Sequence, residues 1–196
     1  MRKIFILITF LISLHSFSQD AKIIAYQKER FEYAISFLEK SELENAADLF
    51  SYVQHLNPSN DLGKIASRKV DSLKPLIRKR FIEKITGKWK MVKENLNSSS
   101  TDIDKYILIE NYQISFYEQN RSSKEMILVR IEQMKFIDQL GMNRSFTEFA
   151  DSKKQIWSCL LNESNGILRV INTGEETENG RTEGVDNMEY KYEKVQ

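Results

Sequence analysis

Histidine and cysteine carry much of the nucleophilic and metal chemistry available near neutral pH, and this chain has little of either: two histidines and one cysteine in 196 residues. His15 lies in an apolar N-terminal run, and His55 has no imidazole or thiol partner nearby in the sequence. No zinc set and no Ser-His-Asp arrangement is spelled out. Cys159 sits within Ile156-Trp157-Ser158-Cys159-Leu160-Leu161, the setting of a buried, inert thiol, and a lone cysteine allows no internal disulfide. Glycine-rich phosphate loops and dinucleotide fingerprints are missing too. No cofactor or metal is therefore expected. Carboxylates are plentiful, at 28 Asp plus Glu, but abundance marks no acid and base pair. Glu175, Glu176 and Glu178 fall in a polar run, 172–187, read as a long loop without calcium-loop spacing. An enzyme ranks last among the function classes.

Aromatic side chains are the other chemical resource. Tyr106, Tyr112, Phe116, Tyr117, Phe146, Phe149, Trp157, Tyr190 and Tyr192 all fall in strand-like segments. A barrel lined by some of them could hold an apolar or amphipathic ligand; alternatively a small barrel fills its interior with its own side chains. Arg130 and Arg169 each interrupt an apolar run. Pointing inward, such a cation favours an anionic head group; pointing outward, it is a strand-edge charge. The candidate ligand-binding residues are Tyr112, Phe116, Trp157, Arg130 and Arg169, joined below by Trp89.

These residues need elements to position them and a compartment to work in. Arg2-Lys3 followed by the apolar run from Ile4 to Leu14 and by Ser16-Phe17-Ser18 reads as a secretory leader, residues 1–18, cleaved before Gln19. The run is too short to span a bilayer. The expected product is exported, periplasmic or secreted, and not an integral membrane protein. Losing Arg2 and Lys3 takes the formal charge from +1 to −1, which argues against nucleic acid as a partner.

Up to Ile85 apolar residues recur at helical spacing. Phe31, Ala34, Ile35 and Leu38 share one face, Ser41-Glu42-Leu43-Glu44 has capping-box spacing, and Leu43, Ala46, Ala47, Phe50 and Val53 form a second face that Asn57-Pro58 ends. A third helical stretch is expected to break or kink near Lys74, because Pro75 lacks an amide. Arg78-Lys79-Arg80 reads as a solvated basic cluster. The order Ala34, Phe37, Ala46, Phe50, Val53, Pro58 resembles a single tetratricopeptide repeat with its capping helix. A single repeat cannot bury its own face, so the resemblance implies that it packs on something else.

At Gly87-Lys88-Trp89 the periodicity changes from helical to alternating. About eight strands are expected, at 87–94, 104–110, 112–118, 125–132, 144–150, 154–161, 166–172 and 188–194. Short antiparallel strands with hairpin links suggest a meander, and closing it into a barrel removes the edges. The run from Met126 to Val129 is apolar on both faces, so its outer side should be covered. Gly87-Lys88-Trp89 directly after a helix, followed by these strands, resembles the lipocalin-like domains. That resemblance implies that Trp89 closes the barrel base beneath a late-strand cation, either Arg169 or Lys191. The expected fold is thus α+β: a leader at 1–18, a tetratricopeptide-like helical hairpin of three to four helices at 19–85, and an eight-stranded lipocalin-like antiparallel barrel at 86–196, with the hairpin packed on it. The expected partner is a small hydrophobic ligand in the barrel, or alternatively an envelope protein or peptide docked on the helices.

Overall fold

The computed structural model describes residues 2–92, 102–138, 146–178, 180–183 and 188–195, without the side chains of 2–20 and of Glu183. The expected loop at Asn97-Ser98-Ser99-Ser100 and the side chains of the expected leader lie outside the described residues. Three helices come first, α1 (Arg2–Glu39), α2 (Leu43–Leu56) and α3 (Asp61–Ile85), and an antiparallel sheet follows. The chain divides into two compact units, Met1–Ile77 and Arg78–Gln196.

In the first unit α1 and α2 pair through small residues. Ala34, Ala46 and Ala47 are fully buried and let the backbones approach, and Phe31 meets Phe50 edge to face at 5.2 Å. The link between these helices differs from the capping box expected at Ser41. Ser41 adopts φ +61, its amide donates to the Leu38 carbonyl, and the Glu42 amide donates to that of Phe37. This is the left-handed stop of α1, so Ser41 belongs to the end of one helix. The residue before α2 is Glu42, whose side chain makes no cap bond to the backbone.

The start of α3 is fixed by a buried polar knot. Gln27, fully buried on α1, donates to the Val53 carbonyl at 2.8 Å and accepts from the Asn60 amide at 2.6 Å. Asn60 Oδ1 in turn accepts the Gly63 amide at 2.7 Å, capping α3. A Cβ at Gly63 would run into the Asn57 carbonyl oxygen, so only glycine permits this closure. Contrary to the expected break, α3 runs unbroken through Pro75. The proline costs one backbone bond, and the helix supplies enough others to continue.

In the second unit the strands are β1 (Gly87–Met91), β2 (Ile103–Glu110), β3 (Gln113–Asn120), β4 (Met126–Gln133), β5 (Lys135–Phe136), β6 (Phe149–Ala150), β7 (Gln155–Asn162), β8 (Ile167–Thr177), β9 (Gly180–Glu183) and β10 (Glu189–Lys194). They pair in the order β4-β3-β2-β1-β10-β8-β7-β6-β5, with β9 added to β8. The ends of this path, β4 and β5, are separated in the chain only by Met134. The sheet therefore comes round on itself into a nearly closed antiparallel barrel. Seven of the expected strands occur with small shifts of their ends; the one expected at 144–150 is strand only at Phe149–Ala150, with 144 and 145 outside the described residues, and β5 and β9 are additional. The run 172–187 is not the single loop expected: β8 extends through it to Thr177 and pairs with β9.

The base of the barrel is solid. Trp89 is 1% exposed, its indole N–H donates to the Ile85 carbonyl at 2.8 Å, and it packs with Phe81, Ile82, Ile109 and Leu168. Gly87, at φ +134, makes the turn from helix into β1 that brings Trp89 there. Lys194 supplies the cation, 5.3 Å above the Trp89 ring, rather than Arg169 or Lys191. Arg78 is not the solvated residue expected. It donates to the carbonyls of Phe146 and Ile137 and to Asp138, and its guanidinium covers the Phe136 ring.

Candidate functional site

Above that base the barrel is hollow. A cavity of about 490 Å³ is walled by Met91, Ile114, Phe116, Val170, Trp157, Tyr190 and Tyr192, and it opens past the exposed Lys105, Lys153 and Met188. Its size lies within the range of small-molecule sites. Strand pairing explains the division between base and cavity. Met91 on β1 stands opposite Tyr192, one inward position above Trp89, while Ile109 and Ile114 pair near the floor.

Three of the six candidate binding residues reach this cavity: Phe116, Arg130 and Trp157. Trp157 stacks on Tyr190 with ring centres 6.2 Å apart and a 35° tilt, and its indole N–H donates to Asp151 at 3.0 Å. Asp151 is fixed by the turn that leads into β7, where its other oxygen accepts the amides of Lys153 and Gln155. Arg130 lies over Phe116, its guanidinium carbon 4.1 Å from the ring centre. The β3–β4 register shifts between Phe116 and Tyr117, and such a bulge redirects side chains locally.

The remaining three candidates stand elsewhere. Trp89 seals the base without lining the cavity. Tyr112 does not open a strand: with Asn111 it forms the two-residue link between β2 and β3, both at positive φ, and its ring rests edge-on against Phe136. A link of two left-handed residues matches the twist of a hairpin, which takes Tyr112 out of the barrel. Arg169 faces away from the cavity and makes a two-pronged pair with Glu189 at 2.7 and 2.8 Å. Those bonds hold the Glu189 carboxyl below its ordinary pKa.

Glu132 and Asp151 also line the cavity and were not candidates. Glu132 is 7% exposed; one oxygen accepts the Ser152 amide at 3.1 Å, and the other lies 3.5 Å from Arg130. The signal for Glu132 was present in Arg130-Ile131-Glu132, since residues two apart share a strand face. Asp151-Ser152-Lys153-Lys154 likewise reads as an Asx turn.

Cys159 is buried, and burial pushes its thiol up to about 12, which keeps it protonated and unreactive. Tyr192, 3% exposed, is raised from its ordinary value mainly by burial and then by Tyr190 and Cys159. Outside the barrel, Asp104 accepts two bonds from Arg121 and contacts Lys90 at 2.9 Å. These bonds hold its carboxyl at about 2. Among the described residues no group of three or more His, Cys, Asp or Glu side chains could hold a metal ion, and no helix is long and apolar enough to cross a membrane. No family model, curated protein or solved structure matches the chain.

Proposed function

We propose that this is an exported, non-enzymatic binding protein whose barrel holds a small apolar or amphipathic ligand. The observation that carries the reading is the cavity of about 490 Å³ above a fully packed base. Barrels of this size commonly fill themselves; here aromatic residues line a space instead of closing it. The resemblance to lipocalin-like domains, resting on Gly87-Lys88-Trp89 after the helix and now on Lys194 above Trp89, supports the same reading. The leader-like residues 1–18 support export, and the spacing from Ala34 to Pro58 supports a tetratricopeptide-like character for the helices.

The test is titration with the neutral fluorophore N-phenyl-1-naphthylamine. Saturable binding at one site, abolished by the filling substitution Val170→Trp while the melting temperature holds, is the expected result. No binding to the wild-type chain would contradict it.

A second reading, an envelope interaction module, is favoured by a patch on β4, where Ile127, Val129 and Ile131 are each 49–58% exposed. That reading predicts a filled barrel, and the cavity weighs against it.

A further inference from the structure

The chemistry of the cavity wall specifies its ligand more narrowly than size does, an inference that rests on the binding reading above. Consider first the carboxylates. Asp151 already accepts the Trp157 indole and two backbone amides. Glu132 already holds the Ser152 amide. Both negative groups are therefore committed to building the barrel.

Arg130 is in the opposite position. Of the five N–H donors of a guanidinium, one has a partner among the described residues, Glu132 Oε1 at 3.5 Å, the outer limit of a hydrogen bond. Contact with the Phe116 ring at 4.1 Å holds the guanidinium beside the cavity, where its side chain is 40% exposed at the mouth. An arginine held over a ring, with most of its donors facing water and not protein acceptors, can exchange that water for an anion.

We propose that the cavity recognises a singly charged anionic amphiphile. Its head group takes the free donors of Arg130, and its apolar body lies against Phe116, Trp157 and Tyr190. Glu132 restricts the charge: a second negative charge on the head group would face a buried carboxylate across the same guanidinium, so a monoanion is favoured over a dianion.

Calorimetry on the full chain with three twelve-carbon probes tests this. Dodecanoate is expected to bind at least ten-fold more tightly than dodecanol, and dodecyl phosphate, as the dianion at pH 8, more weakly than dodecanoate. Arg130→Gln should erase the preference for carboxylate over alcohol, with an unchanged melting temperature showing that the variant is folded. Arg130→Lys should keep part of the preference, since it keeps the charge but loses the fork. Glu132→Gln should narrow the gap between phosphate and carboxylate. Equal binding of dodecanoate and dodecanol to the wild type, unchanged in Arg130→Gln, would overturn this inference while leaving the cavity reading intact. Binding of none of the three probes would overturn the cavity reading itself.

Discussion

The lower and upper halves of one barrel are built from the same strands and end in opposite states. At the base, Trp89, Ile109 and Leu168 are each at most 1% exposed and form one cluster with Phe81 and Ile85 from α3. One inward position higher, Met91, Phe116, Trp157 and Val170 are only partly buried and face about 490 Å³ of space. Composition does not explain the difference, since both halves are rich in aromatic and branched residues. What differs is the plug: the helix end fills the base, and nothing equivalent fills the top among the described residues. The comparison teaches that a cavity here comes from where a helix stops, not from smaller side chains.

Substitutions at matched depths test this contrast. Trp89→Ala removes a fully buried indole with its bond to Ile85, and it should cost about 3–5 kcal/mol in urea unfolding. A cost under about 1 kcal/mol would mean the base is not the packed half. Phe116→Ala removes a ring that already borders open space, so little new void is enclosed. A loss of about 1–2 kcal/mol is expected, accompanied by loss of N-phenyl-1-naphthylamine binding. If the stability cost instead matched that of Trp89→Ala, the upper half would be filled and the contrast would disappear.

The rim of the barrel offers a pH test. Asp104 is held at about 2 by Arg121 and then Lys90, below an unfolded value of about 3.9. A depressed folded value means that the stabilisation is present above about pH 4 and is lost as pH falls through about 2. Solvent reaches the partner cations, so the contribution should be about 1 kcal/mol. The stability difference between wild type and Asp104→Asn should be full at pH 6 and vanish near pH 2. A difference that persists unchanged at pH 2 would assign it to packing rather than charge.

The smallest effect is on reactivity. With its thiol near 12, Cys159 should resist aromatic disulfide reagents at pH 8 in the folded chain and react at once in denaturant. Rapid labelling of the folded chain would show that water reaches deeper than the cavity floor.

Much of this contrast was legible in the sequence. The change of periodicity at Gly87-Lys88-Trp89 marks where helix becomes barrel, and alternation along β3 and β10 shows one wet face in each. What local pattern could not supply were effects decided by partners distant in sequence. Tyr112 looks like a strand residue until the two-residue link forces it to positive φ. Arg169 and Arg130 look alike in their apolar runs, and only the pairing of β10 with β8 brings Glu189 beside one of them. At Pro75 the helix continues, because one missing amide is a small loss within a helix of 25 residues. Polar run 172–187 hid β9, since Gly180-Arg181-Thr182-Glu183 carries no apolar residue whose alternation would reveal a strand.

We propose that the upper barrel is an occupied binding site in the working protein. The most direct measurement is the native mass of the chain purified gently from the cells that make it and their medium, repeated after organic extraction. A reproducible extra mass that extraction removes and that belongs to a singly charged amphiphile is the predicted result. A bare polypeptide mass before and after extraction, from a chain that also fails to take up added probe, would contradict the account.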